Sequence, residues 1–185
     1  MVRISILIEL CIFFGCILTN GLLLKVKQND VVGRPPIHRL LFITGKLSMG
    51  ASWGVLLVVA ALGQLDNVSV AKAFQYVAVA LLLPAIIFTI CAFAGLGRDS
   101  RFGLSENSSG LKTDGIYQIS RNPMYLGFYL VTLASMVAIP HVVNILCGLA
   151  GVYTHHQITM AEERFLLTQH GATYAEYMRK TRRYI

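Results

Sequence analysis

From Ala73 to Gly97 the chain reads Ala-Phe-Gln-Tyr-Val-Ala-Val-Ala-Leu-Leu-Leu-Pro-Ala-Ile-Ile-Phe-Thr-Ile-Cys-Ala-Phe-Ala-Gly-Leu-Gly, without one charged side chain. A run of this length exceeds the ~20 apolar residues that a helix needs to cross a bilayer. Pro84 falls inside it, where a helix is expected to bend. Four further runs flank it: 4–24, interrupted by Glu9; 47–65, free of charge; about 122–140; and about 142–161, with His155 and His156 near its end. Strand-like alternation is absent, which argues against a barrel. The expectation is an all-α polytopic membrane protein, one domain over residues 1–185. It has five transmembrane helices, followed by a cytoplasmic C-terminal helix at about 162–180.

Composition agrees. Of 185 residues, 55% are hydrophobic and 14% charged, against roughly 25% charged in a soluble domain, and mean hydropathy is +0.62. An ordinary soluble enzyme, a disordered chain and a disulfide scaffold are excluded. The net charge of +7 is spread between apolar runs, so it reads as membrane topology rather than a nucleic-acid surface. Cys11, Cys16, Cys91 and Cys147 lie in apolar stretches without CxxC spacing, so neither disulfides nor a metal site is expected. Arg3, the apolar stretch after it and Phe14-Gly15-Cys16 resemble a cleaved leader. Glu9, and the continuation of the stretch to Leu24, favour a retained helix.

The basic residues orient the spans. Lys25, Lys27, Arg34, Arg39 and Lys46, then Arg98, Arg101, Lys112 and Arg121, then Arg164, Arg179, Lys180, Arg182 and Arg183 all fall on one side, leaving Arg3 and Lys72 opposite. Positive residues stay cytoplasmic, which places the N-terminus outside and the C-terminus inside. Short length and minimal loops favour a bacterial or archaeal cytoplasmic membrane over endoplasmic reticulum. The last two spans, joined around Pro140 and His141, should form a tight antiparallel hairpin. Gly127, Ser135, Gly148 and Gly151 permit close approach there. Ser105 to Gly110 is the main loop-like polar cluster.

Polar side chains concentrate in 110–127, leading into the fourth span, and 161–178, leaving the fifth. An antiparallel hairpin brings these stretches together, so Arg121 and Asn122 should approach Glu162 and Glu163. Pro123 suits the first turn of a helix, and the free N–H groups of that turn suit an anion. Arg121 adds a cation fitted to carboxylate or phosphate, and Glu162 an acceptor for an ammonium or a ribose hydroxyl. Two readings stay open: a site for a zwitterionic ligand, or an ion pair that closes the bundle. His155 and His156 are either interfacial or functional. Tyr117, Tyr125, Tyr153, Tyr174 and Tyr177 fit an aromatic belt, and Trp53 an ordinary packing role. Glu9 lies near the outer interface or faces a polar group in the bundle.

These stretches also carry a resemblance. Gly115-x-Tyr117, Arg121-Asn-Pro-x-Tyr125-x-Gly127, then Glu162-Glu163-x2-Leu166 and Gly171-x2-Tyr174-x2-Tyr177 resemble the isoprenylcysteine carboxyl methyltransferase family. Its wider superfamily includes phospholipid N-methyltransferases. The likeness covers about residues 111–183; the earlier spans match only in being apolar. It implies S-adenosylmethionine as methyl donor, held at the cytoplasmic face, with Leu111, Lys112, Tyr117, Arg121, Asn122, Tyr125 and Glu162 at cofactor-contacting positions. Pro123 and Gly127 would shape the pocket. Arg121, Glu163 and His155 are the candidates for a catalytic part, His156 standing beside them for an amine acceptor. The acceptor implied is lipophilic, an isoprenylcysteine carboxylate or a lipid head group, entering from the bilayer. The chain departs from the eukaryotic prenylcysteine enzymes at Asn122, usually histidine there, and at Ile158, where they place an arginine toward the substrate.

Two other functions compete. An NADPH-dependent reductase is one, since sterol reductases resemble this C-terminal bundle; its diphosphate calls for several arginines, and Arg121 is the main one offered. A non-catalytic bundle holding a hydrophobic ligand is the other.

Overall fold

The computed structural model describes residues 1–26, 35–68, 70–96 and 110–185. Helices α1 (Val2–Val26), α2 (Arg39–Ala61), α3 (Lys72–Leu96), α4 (Pro123–Ala138) and α5 (Val142–Lys180) account for most of it, with 3-10 turns at Gln64–Asn67 and Gly115–Gln118. Among the described residues there is no strand. The fold is all-helical. Lys27, Arg34, Arg98, Arg101 and the polar stretch 105–109 lie outside the described residues.

Among the described helices, α1, α2 and α3 are long and apolar enough to cross a membrane. Helix α4 is apolar but has 16 residues, or about 24 Å at 1.5 Å per residue. Two boundaries differ from expectation. Helix α2 begins at Arg39, so Arg39 and Lys46 lie within a helix and not in a loop. Backbone hydrogen bonds carry a helix past the end of its apolar stretch, which hydropathy alone does not register. Helix α2 also stops at Ala61, where Gly63, at φ 71°, diverts the chain into the 3-10 turn. Arg3 closes that end, its guanidinium donating to Ala60 O at 2.9 Å and Ala61 O at 3.3 Å.

The second difference concerns α5. No separate helix starts near residue 162; α5 runs unbroken to Gly171, whose φ of 51° and ψ of −124° interrupt it. Residues 161–170 contain no Gly or Pro, so nothing breaks the helix sooner. Glu162 and Glu163 therefore stand on a continuous helix. Helix α3 likewise runs through Pro84.

Helices α4 and α5 form the expected antiparallel hairpin, pinned at its turn by Asn144, whose amide donates to Ser135 O at 3.1 Å and Ile139 O at 2.9 Å. The closest seams lie elsewhere. Helix α4 packs mainly on α3 and α5 mainly on α2. A Cβ on Gly127 would collide with Thr89 of α3, and one on Gly45 of α2 with Thr154 of α5. At Gly151 a Cβ would lie 2.8 Å from the Met49 Cα of α2, whereas Gly148 does face α4, at Met136 and Thr132. Small residues thus set which backbones come closest.

The middle of the bundle is aromatic. Phe13, Trp53 and Phe128 meet edge to face with centroids 5.2 to 6.0 Å apart. Trp53 also donates its indole N–H to Thr132 Oγ1 at 2.8 Å, an interhelical bond worth about 0.6 kcal/mol in a membrane setting. Glu9 on α1 keeps Oε2 buried without a hydrogen-bond partner.

Candidate active site

The polar residues gather at the end of the bundle opposite the α4–α5 turn. Approaching α4, the chain makes the 3-10 turn Gly115–Gln118, with Gly115 at φ 59°. Pro123 then opens α4 at its first turn, its missing N–H costing no helical bond. Asn122 takes φ −131° and ψ 56°, outside the helical region as the residue before a proline prefers. Its side chain makes no cap hydrogen bond and turns instead toward α5.

There it meets Glu163. Oε1 of Glu163 accepts from Asn122 Nδ2 at 2.8 Å and from Arg121 Nε at 3.1 Å, and Arg121 Nη2 lies 3.0 Å away. Oε2 accepts from Arg183 Nε at 2.9 Å, with Arg183 Nη2 also at 2.9 Å. Arg121 further donates through Nη1 to Met178 O at 3.1 Å and Thr181 O at 2.5 Å. With side-chain exposures of 4% for Glu163 and 7% for Arg121, this is a desolvated ion-pair network. Both oxygens of Glu163 are committed to cations, which leaves it poorly placed to take a proton.

Glu162 points elsewhere because adjacent residues on a helix diverge by about 100°. Its Oε1 accepts from the Tyr125 hydroxyl of α4 at 2.9 Å, and Lys46 of α2 lies within electrostatic reach. One residue past the apolar stretch 142–161, Glu162 has its carboxyl pushed up to about 7 by burial, while Tyr125 and Lys46 pull the other way. The approach of Arg121 and Asn122 to the two glutamates, expected from the hairpin, is therefore divided: they contact Glu163, and Tyr125 contacts Glu162.

The remaining candidates are less concentrated. His155 is buried beside Tyr125, ring centroids 6.0 Å apart, its Nδ1 on Gly151 O at 2.8 Å. Tyr117 is buried, donating its hydroxyl to Ala92 O of α3 at 3.2 Å and accepting Tyr177's hydroxyl on its carbonyl at 2.5 Å. Its ring lies against Gly95, where a Cβ would sit 3.0 Å from Cε2. Leu111 is half-buried, and Lys112 pairs with Asp114 at 2.9 Å near the surface.

Four contributors have nothing in the sequence that sets them apart. Arg183 stands in a basic run indistinguishable from topology signals, and Lys46 reads as one more loop cation. Ser120 bridges the turn to the chain end, donating to Arg183 O at 3.2 Å and accepting from Asn122 N at 3.1 Å. Tyr184 brings its hydroxyl to His156 Nδ1 at 2.8 Å and Tyr129 OH at 3.3 Å. No local pattern marks either Ser120 or Tyr184.

A family model described as phospholipid methyltransferase matches residues 74–173, just over half of the chain. The matched stretch runs from α3 through Arg121, Asn122 and Tyr125 to Glu162 and Glu163 and on past Gly171. None of the curated proteins matches the chain.

Proposed function

The chain belongs to the phospholipid methyltransferase family, and from that membership we propose that it moves a methyl group from S-adenosylmethionine to a lipid head group at the membrane surface. The observation that carries this reading is the Glu162 carboxylate, held by Tyr125 at the start of α4 at the polar end of the bundle. The donor set suits such a ligand: Glu162 for an ammonium or ribose hydroxyl, the first turn of α4 for a carboxylate. The distribution of Lys and Arg supports a cytoplasmic position for this end, where the methyl donor is made. Ile158, in place of an arginine, favours a lipid head group over a prenylcysteine carboxylate.

Bound there, the donor supplies a sulfonium methyl open to in-line displacement. The protein's part is placement, which can lower a barrier by about 7–11 kcal/mol. Tyr125 fixes the Glu162 carboxylate, and Glu163 fixes Arg121 and Asn122 at the mouth of α4. Burial of Glu163 and Arg121, 4% and 7% exposed, strengthens the contacts between them. A carboxylate or phosphate acceptor needs no base. An amine acceptor must in addition lose a proton, for which His155 beside Tyr125 and His156 beside Tyr184 are the candidate bases.

Calorimetric titration of S-adenosylmethionine and of NADPH into purified protein in detergent tests the proposal, with Glu162→Gln in parallel. Binding of S-adenosylmethionine that collapses in the variant supports it. Binding of NADPH alone transfers support to a reductase, and binding of neither leaves a ligand-holding bundle.

A further inference from the structure

Residues 181–185 follow α5 and turn back over the site. Their backbone is held by the turn before α4: Arg121 N donates to Arg182 O at 3.0 Å, Ser120 Oγ to Arg183 O at 3.2 Å and Asn122 Nδ2 to the same oxygen at 3.3 Å. Their side chains reach inward at two points. The Arg183 guanidinium takes Oε2 of Glu163 through two nitrogens, each at 2.9 Å. The Tyr184 ring lies against Tyr129 of α4, centroids 5.3 Å apart, and its hydroxyl touches both Tyr129 and His156 of α5.

We infer that this segment is a strap belonging to the donor site, with Arg183 as a positioning residue that acts through Glu163 on Asn122 and Arg121. The inference rests on the donor reading above. Glu163 is 4% exposed, so each of its oxygens needs a donor, and its two oxygens are divided between Arg121 with Asn122 on one side and Arg183 on the other. Removing the Arg183 guanidinium leaves Oε2 a buried anion without a partner. The carboxylate then rotates to offer both oxygens to Arg121, whose planar fork favours a two-point grip. That rotation withdraws Oε1 from Asn122. Asn122 directly precedes Pro123, the first residue of α4, so its displacement shifts the first turn of that helix, where the donor's carboxylate is expected, relative to Glu162. The charge of Arg183 thus sets the spacing of two groups that it does not touch.

Arg183 is one-third exposed along its side chain, so its replacement opens no cavity in the core. The buried charge it leaves on Glu163 lowers the melting temperature, so affinity is read well below that temperature, where the folded helical signal is unchanged. The test is S-adenosylmethionine titration of the full chain in detergent, comparing wild type with Arg183→Met, Arg183→Lys and Tyr184→Phe, and following each by circular dichroism on heating. The expected result is affinity reduced about tenfold in Arg183→Met, the scale of one charge-assisted contact, with partial recovery in Arg183→Lys and an unchanged helical signal. A folded Arg183→Met that binds like wild type overturns the strap while leaving the methyltransferase reading standing. Should Arg183→Met fail to fold, Tyr184→Phe decides: it removes the tie to His156 and Tyr129 alone, reduced affinity supporting the strap and unchanged affinity overturning it. A wild type that does not bind S-adenosylmethionine overturns both readings.

Discussion

Tyr125 on α4 and Glu162 on α5, 37 positions apart in the chain, meet hydroxyl to carboxylate at 2.9 Å. The contact crosses the open end of the hairpin, so any change in how the two helices sit changes the polarity of the site. Tyr125→Phe keeps the ring and deletes the donor. S-adenosylmethionine affinity should fall roughly threefold to tenfold, the range of one net hydrogen bond, with the melting curve little altered. Titration calorimetry beside circular dichroism checks this.

A pH dependence follows from the same carboxyl. Burial raises Glu162 from 4.5 to about 7, so below that value it is protonated and cannot balance a cationic ligand. S-adenosylmethionine binding should strengthen as pH rises through about 7, approaching about tenfold per unit on the acid side where one proton is released. Glu162→Gln should flatten the profile. Binding that weakens with rising pH would contradict the assignment of Glu162 to the ligand.

Glu163 should matter for integrity ahead of proton transfer. Glu163→Gln leaves Arg121 and Arg183 around a neutral amide, and removing one partner of a buried ion pair costs about 3–5 kcal/mol. Thermal unfolding in detergent should show a large loss, well beyond that of Tyr125→Phe. Normal stability with loss of methyl transfer alone would place Glu163 in the chemistry instead.

The helix seams give a matched pair. Gly151→Leu drives a side chain into Met49, whose Cα would already lie 2.8 Å from the new Cβ, and should destabilise by about 1–3 kcal/mol as overpacking does. Gly50→Ala, with nothing within 4 Å of its Cβ, should be neutral or slightly stabilising. Melting temperatures of the two variants in one detergent distinguish a specific α2–α5 seam from loose helix association.

Gly171 allows α5 to break. Its φ of 51° with ψ of −124° is a conformation that a Cβ penalises, by about 1–3 kcal/mol. Gly171→Ala should therefore disturb Tyr174 and Tyr177 beyond it and weaken ligand binding more than it lowers helix content. Comparing the two readouts checks the claim.

Much of this is legible in the residues alone. Apolar runs announce the helices because a bilayer-length stretch without charge has few other stable forms. The short link at Pro140 and His141 announces the hairpin, and the hairpin in turn brings residues near 121 toward residues near 162. Helix limits are less legible: Arg39 and Lys46 sit inside α2 because backbone bonding does not stop where hydropathy falls. The small residues announce close approach, but Gly127 serves α3 and Gly151 serves α2.

The order of residues along the chain is enough to specify an all-helical apolar bundle and a polar end assembled from two distant stretches. How the two adjacent glutamates divide their work is settled only when the helices pack. One turns to Arg121, Asn122 and Arg183 and the other to Tyr125 and Lys46. A helix sends neighbouring side chains in different directions, and each direction acquires meaning only when other segments arrive there. The same holds for Arg183, which shares a basic run with exposed Arg179, Lys180 and Arg182. Its inward role arises because the chain after α5 folds back over a buried carboxylate that requires a second cation.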